Sequence, residues 1–140
     1  MCGKLRFENT QHIIGAPLPA TNLRLGTPVE GPWSGFARTE SIDWWRKTGR
    51  AELVTLQVTG FDEQGVPFRV GETARVLGIL LGADVELQGR IIGRAGELKV
   101  VTRAAETKTE KEIHGRWPVV LTPSSKSCYL FNEEDKAKEE

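Results

Sequence analysis

Glycines interrupt the second half of this sequence at short intervals, and the stretches between them are rich in apolar and β-branched residues. These stretches are residues 53–59, 67–70, 74–81, 85–92 and 97–102. Short segments of this composition, bounded by glycine, are typical of strands joined by turns. The pattern therefore predicts a β-rich chain. It also predicts a hairpin in which residues 53–59 and 67–70 flank a turn at 60–65.

The first third of the chain predicts less regular structure. Prolines at positions 17, 19, 28 and 32 fall within residues 8–32 and indicate a loop-rich segment. Residues 41–47 form the strongest helix candidate, with Ser41 as a cap and Gly49 as a stop.

The last third adds two elements and a tail. Residues 103–112 are charged and suit a short helix, and residues 117–121 suit a final strand. Together the elements predict one β-rich α+β domain over residues 1–132. We expect a partly closed antiparallel barrel or packed sheets, with a few short helices. Residues 133–140 hold five acids and two lysines, which predicts a flexible charged tail.

Composition narrows the class of protein. The 140 residues are 39% hydrophobic and 27% charged, as in a soluble globular domain. No apolar run approaches the roughly 20 residues of a membrane-spanning helix, and the N-terminus does not resemble a secretory signal. We therefore expect a cytoplasmic monomer with no membrane partner, associated with the nucleoid if it binds DNA. Outside the tail there are 17 basic and 14 acidic residues, a mild excess that is compatible with binding a phosphate backbone.

The few cysteines and histidines argue against a metal or disulfide scaffold. The chain has Cys2, Cys128, His12 and His114, and their spacing matches no common zinc motif. Phosphate-loop, dinucleotide and serine-elbow signatures are absent from the sequence as well. We expect neither a metal nor an organic cofactor.

Cys2 is the first candidate for chemistry, because of its position. Removal of Met1 would leave a cysteine whose α-amine and thiol lie on adjacent carbons, and both groups are partly nucleophilic near neutral pH. Such an aminothiol condenses with an aldehyde to a five-membered thiazolidine. Alternatively, the thiolate attacks an acyl group while the amine acts as base. An incidental residue on a loose terminus is the plainer alternative.

The other candidate functional residues also have purely structural interpretations. His114 precedes an apolar strand and suits a general acid or base, or a structural hydrogen bond. Glu63 lies in the predicted turn, where acids are usually solvated. Trp44, Arg46 and Lys47 interleave aromatic rings with cations, as in proteins that stack on unpaired bases. The same pattern also fits a helix that buries one tryptophan.

Four segments, in order, resemble the SOS-response-associated peptidase family, whose members capture abasic sites in single-stranded DNA covalently. The opening Met1-Cys2-Gly3-Lys4 is similar to the family's M-C-G-R. Residues 36–41, FARTES, are similar to N-A-R-x-E-T. Residues 50–54, RAELV, and then 60–63, GFDE, are similar to the R-R-C-L-V strand that leads to G-F-Y-E-W. The fourth segment runs from residues 100–102, VVT, which are similar to the family's T-x-A strand, to residues 113–121, IHGRWPVVL, which are similar to I-H-x-R-M-P-V-x-L. It is the most specific match.

The resemblance implies roles for individual residues. Cys2 would be the nucleophile, joined to the sugar aldehyde as a thiazolidine, and Glu63 and His114 would move protons. Arg38 would hold backbone phosphate, and Lys4 replaces an arginine that contacts DNA in the family. With the aromatic and cationic residues considered on their own pattern, the residues expected at the DNA are Lys4, Arg38, Trp33, Trp44, Arg46, Lys47 and Arg116. The sequence departs from the family at Phe36, where the family has asparagine, and at Gln64, where it has tryptophan. The chain is also shorter than typical members.

Three functions remain open from the sequence. The first is covalent capture of abasic single-stranded DNA through Cys2. The second is an N-terminal-thiol peptidase that uses the same three residues, with the Met1–Cys2 bond as one possible substrate. The third is a single-stranded-DNA-binding module without catalysis.

Overall fold

The computed structural model describes residues 2–7, 10–70 and 74–122. Two helices lie in these ranges, α1 (Ile42–Thr48) and α2 (Lys108–Ile113), and a 3-10 turn (Thr39–Ser41) precedes α1. The strands are β1 (Cys2–Phe7), β2 (Thr10–Ile13), β3 (Pro17–Asn22), β4 (Pro28–Arg38), β5 (Glu52–Leu56), β6 (Gly60–Glu63), β7 (Val66–Arg69), β8 (Arg75–Leu80), β9 (Val85–Leu87), β10 (Arg90–Gly93), β11 (Leu98–Ala104), β12 (Arg116–Pro118) and β13 (Val120–Leu121).

Five strands close into a barrel. β4, β3, β5, β8 and β11 pair in that order, and β11 pairs in turn with β4. The β4–β11 pair is parallel and the other four are antiparallel. The predicted β-rich α+β fold is confirmed, with a barrel that is fully closed.

Alternation along the strands produces two apolar clusters. One draws side chains from all five barrel strands and therefore fills the interior: Leu18, Ala20, Trp33, Val54, Leu56, Val76, Leu98 and Val100. The other lies outside the barrel, where Ile42 and Trp45 of α1 cover Leu53, Leu77 and Ile79. The predicted helix at 41–47 is thus confirmed to within one residue and packs through one face.

A small sheet of order β2-β1-β6-β7 packs beside the barrel. Leu5 of β1 and Phe61 of β6 belong to the same apolar cluster as the barrel interior. Gly60 lies where a β-carbon would come within 2.5 Å of the Phe68 carbonyl oxygen, so only glycine lets β6 and β7 approach this closely.

The segment 116–121 separates two barrel strands. β11 pairs with β8 as far as Val100, and beyond that point β12 pairs with β11 while β13 pairs with β8. Val119 joins both sides: its amide donates to the Val101 carbonyl at 3.0 Å, and its carbonyl accepts from Leu77 at 2.9 Å. The predicted strand at 117–121 is therefore present as two short strands between β8 and β11.

Two predictions about the strands before residue 70 are wrong. The described part of the segment predicted as loop-rich, residues 10–32, is mostly strand, because every proline falls in one alternating set of the β3–β4 ladder, as in the pairs Pro17–Pro32 and Thr21–Pro28. The residues between the prolines can make the ladder hydrogen bonds. The hairpin partner of residues 66–69 is β6 and not β5, since β5 pairs with β3 and β8.

Two further points complete the comparison with the sequence. Residues 85–92, predicted as one strand, form β9 and β10 joined by Gln88 and Gly89, both at positive φ. The predicted tail at 133–140 lies outside the described residues. Among the described helices, none has the length and apolar character needed to cross a membrane.

Candidate active site

The backbone of Cys2 pairs with the backbone of Glu63 across β1 and β6. The next pair along the ladder is Lys4 with Asp62, so β1 carries one extra residue, Gly3, between the two pairs. Regular pairing from Lys4 would have placed Cys2 opposite residue 64, in the turn. The bulge therefore brings the second residue of the chain back to the position opposite Glu63.

Glu63 is the last residue of β6 and is fully buried. Gln64 and Gly65 follow at φ values of 53° and 79° and link β6 to β7 in a two-residue turn, the geometry of a type I′ hairpin. A large aromatic side chain is unfavourable at positive φ, so the smaller, unbranched glutamine suits position 64. A solvated turn acid, the alternative to an acid–base role for Glu63, is therefore wrong.

His114 lies beside Glu63. Its Nδ1 atom is 3.6 Å from Oε1 of Glu63, and its side chain is 27% exposed while that of Glu63 is 0% exposed. The imidazole thus stands between a buried carboxyl group and solvent. The Nδ1 atom also lies 3.1 Å from the Arg116 amide nitrogen and 3.2 Å from the Arg116 carbonyl oxygen, so whether it accepts or donates depends on the ring tautomer.

Helix α2 and the strand after it hold His114 in place. His114 is the C-cap of α2, and its amide donates to the Glu110 carbonyl at 2.9 Å. The Trp117 indole donates to the His114 carbonyl at 3.0 Å and packs edge-on against Phe61 and Phe68, with ring centroids 6.1 and 5.0 Å apart. The histidine segment is therefore packed directly against the β6–β7 hairpin that carries Glu63.

An ion pair fixes α2 itself. Arg103 of β11 donates to both carboxylate oxygens of Glu110, at 2.9 and 2.7 Å. These hydrogen bonds lower the pKa of Glu110 to about 2. Glu110 and Thr107 also form a capping box at the start of the helix. Nothing in the sequence signalled this support, because residues 103 and 110 meet only through the β11–α2 connection.

A second ion pair engages Arg116, one of the residues predicted to contact DNA. Its guanidinium donates to both carboxylate oxygens of Glu40, at 2.9 and 3.1 Å, and to the Thr102 carbonyl at 2.6 Å. Hydrogen bonds from Arg116 and Thr39 lower the pKa of Glu40 to about 2. Arg116 is therefore bound within the protein and links the 3-10 turn before α1 to β12.

Lys4 and Arg38 are better placed to meet a phosphate. Both are exposed, and no carboxylate of a described residue lies within ion-pair distance of either. Lys4 pairs with Asp62 across β1 and β6. Arg38 is the last residue of β4 and pairs with Thr102 of β11. Phe36, two residues earlier, is partly buried against Trp33 with ring centroids 5.7 Å apart.

The two tryptophans predicted to contact DNA differ in exposure. Trp33 is fully buried in the barrel interior and its indole donates to the Gly35 carbonyl at 2.9 Å. The prediction that it contacts DNA is wrong, because a core ring has no face open to a base. Trp44 is 38% exposed and stands edge-on to buried Trp45. Arg46 and Lys47 are exposed on the same helix.

The fold brings together the backbone of Cys2 and the side chains of Glu63 and His114, which lie far apart in the sequence. A carboxyl group and an imidazole 3.6 Å apart can pass a proton between a buried point and solvent. In the described part of the chain, no group of three or more His, Cys, Asp or Glu residues is arranged to hold a metal ion. No protein family, curated protein or solved structure matches the chain.

Proposed function

We propose that this protein captures abasic sites in single-stranded DNA by forming a covalent bond through Cys2. The observation that carries the proposal is the convergence of Cys2, Glu63 and His114. The first two are backbone partners across β1 and β6, and the last two are 3.6 Å apart. These three residues are the ones that the resemblance to the SOS-response-associated peptidases implies for capture chemistry.

The reaction begins with hydrolysis of the Met1–Cys2 bond, which frees the α-amine of Cys2. The amine nitrogen attacks the C1′ aldehyde of the ring-opened abasic sugar and forms a carbinolamine. The carbinolamine hydroxyl takes up a proton and leaves as water, giving an imine. The Cys2 thiolate then attacks the same carbon to close a thiazolidine. The balance is aldehyde plus aminothiol to thiazolidine plus water, with no oxidant or reductant.

Glu63 and His114 supply the proton transfers that this sequence needs. One group must accept a proton from the attacking amine, and one must donate a proton to the departing hydroxyl. Glu63 is enclosed beside the Cys2 backbone position, whereas His114 is part-exposed and able to exchange protons with solvent. We assign the transfer at the sugar carbon to Glu63 and the exchange with water to His114.

Exposed cations support a DNA strand as the substrate. Lys4 lies two residues from Cys2 on β1, and Arg38 lies beside the strand pair that carries Thr102 and Pro118. The Lys4 ammonium and the Arg38 guanidinium are available to bind backbone phosphates. The exposed ring of Trp44 suits stacking on an unpaired base.

The experiment is a denaturing gel of the protein after incubation with single-stranded DNA that carries one abasic site. The wild type, Cys2→Ala and Cys128→Ala are compared, and mass spectrometry establishes that Met1 is absent. We expect a band that survives boiling in the wild type and in Cys128→Ala, and none in Cys2→Ala. An adduct of equal yield in Cys2→Ala, or no adduct from wild type lacking Met1, would overturn the proposal.

A further inference from the structure

Three arginines surround a cavity that shares no lining residue with the Cys2 site. Arg24, Arg46 and Arg50 line it together with Asn22 and Glu52, and its volume is about 300 Å³. We call it the arginine pocket. Its volume is at the lower end of the range for small-ligand sites.

Internal hydrogen bonds fix the backbone on both sides of the arginine pocket. The buried side chain of Asn22 accepts from the amides of Arg24 and Leu25, at 3.0 and 2.9 Å, and so shapes the β3–β4 turn. The Gly49 carbonyl accepts from the amides of Gly82 and Ala83, at 2.9 and 3.0 Å. The arginines are therefore presented by two fixed segments rather than by loose loops.

Arg50 has an unfavourable backbone conformation for its residue type. Its φ is 49°, in the left-handed region that non-glycine residues seldom adopt. Glycine would be the usual residue directly after the end of α1 at Gly49. The chain instead places a guanidinium here and accepts a strained backbone, which is a pattern associated with binding sites.

The positive charge of the pocket is only partly offset within the protein, because Glu52 is the one carboxylate among its lining residues. None of the three arginines has a carboxylate within 4 Å among the described residues, in contrast to Arg103 and Arg116. The acid in the lining, Glu52, accepts a hydrogen bond from the Asn22 amide instead. Three like charges around one cavity repel each other, and an anion placed between them would remove that repulsion.

From this geometry we infer that the arginine pocket binds a phosphate group. The guanidinium fork matches phosphate oxygens in pairs. A phosphate of this kind is carried either by a nucleic-acid strand or by a small phosphate compound. The inference stands apart from the capture chemistry, because it uses none of the residues Cys2, Glu63 and His114.

Binding is measured with two probes, a thymidine dodecamer without abasic sites and inorganic pyrophosphate. The variants are Arg24→Gln, Arg46→Gln and Arg50→Gly, and Arg90→Gln on exposed β10 is the control with the same loss of charge. We expect at least fivefold weaker binding in the three pocket variants and no change in Arg90→Gln. If the dodecamer is the bound species, each lost contact reduces the salt dependence of log K by roughly 0.7.

Arg50→Gly distinguishes a loss of binding from a loss of folding. It removes the guanidinium while relieving the positive φ, so its thermal stability should equal or exceed that of the wild type. Tighter binding of the dodecamer identifies a nucleic-acid strand as the source of the phosphate, and equal or tighter binding of pyrophosphate identifies a small phosphate compound.

The inference is overturned if Arg90→Gln weakens binding as much as the pocket variants, or if the wild type binds neither probe. Neither probe carries an abasic site, so the binding of both is measured without covalent capture. Failure of covalent capture and failure of phosphate binding are therefore separate results.

Discussion

The barrel interior and the Cys2 site are built by different rules. The interior repeats one rule on five strands: every second residue is apolar and faces inward, as with Leu18 and Ala20 on β3. The Cys2 site depends on three departures from regularity. These are the extra residue at Gly3, the left-handed turn at residues 64–65, and the segment 116–121 between β8 and β11.

This difference has consequences for how each region responds to change. An apolar core tolerates substitutions that keep volume and pattern, so damage to it appears mainly as lost stability. A site that depends on register loses function when one residue is displaced, even if the fold remains. The variants below separate these two kinds of damage.

Glu63→Gln should give the largest effect on chemistry. The change is isosteric but removes the acid–base function, so we expect adduct formation to slow by roughly 10²- to 10⁴-fold with little change in thermal unfolding. The rate is measured by quenching the reaction with abasic single-stranded DNA at timed intervals. Asp62→Asn is the control. Asp62 directly precedes Glu63 on β6, so the two side chains point to opposite faces of the strand, and Asp62 accepts a hydrogen bond from Arg6 at 2.9 Å. Equal slowing in both variants would remove Glu63 from the mechanism.

Leu56→Ala should damage the barrel and not the chemistry. Leu56 is 1% exposed in the interior cluster, and such a truncation costs about 2–5 kcal/mol of unfolding free energy. Leu87→Ala, at a leucine that is 49% exposed, should cost less than about 0.5 kcal/mol. Urea unfolding measures both values. The adduct rate per folded molecule should stay at the wild-type level, and a lower rate would show that the two regions are coupled.

Acid should weaken the ion pair that holds α2 and thereby supports His114. The pKa of Glu110 is about 2 in the folded protein against 4.5 as its ordinary value. Its stabilising contribution is therefore complete above about pH 4.5 and is lost as the pH falls toward 2. Unfolding free energies of wild type and Glu110→Gln should converge over this range, by about 1–2 kcal/mol. A constant difference from pH 6 to pH 3 would contradict the assigned ion pair.

The β-rich fold, α1 and the positions of β5, β8 and β11 could be predicted because they follow from local patterns. Glycine spacing marks the strands, and the alternation of apolar residues marks their buried faces. The prolines of residues 8–32 misled the prediction, since a proline is compatible with a strand when its missing N–H faces away from the ladder. The sequence alone does not reveal which face of a ladder each proline occupies.

The site was only partly predictable for a related reason. Cys2, Glu63 and His114 were identified from their types and from the resemblance to a family. Their proximity depends on a bulge and on strand order, which are properties of long-range pairing. The same dependence explains the error at Trp33, whose aromatic ring indicated a base contact until the barrel placed it in the interior. Arg24, Arg46 and Arg50 line one cavity because the fold brings their segments together, and no local sequence pattern indicates this.

The most direct test of the account compares two changes at Gly3, with adduct formation on abasic single-stranded DNA as the readout. Gly3→Ala keeps the length of β1, and its β-carbon would meet no atom within 4 Å. A glycine inserted after Gly3 moves Cys2 one position past Glu63. Thermal unfolding of both proteins checks that the barrel is intact.

We predict that Gly3→Ala forms the adduct within a fewfold of the wild-type rate, and that the insertion slows it by about 10²-fold or more. Equal rates in the two variants would contradict the claim that strand register brings Cys2 to Glu63 and His114.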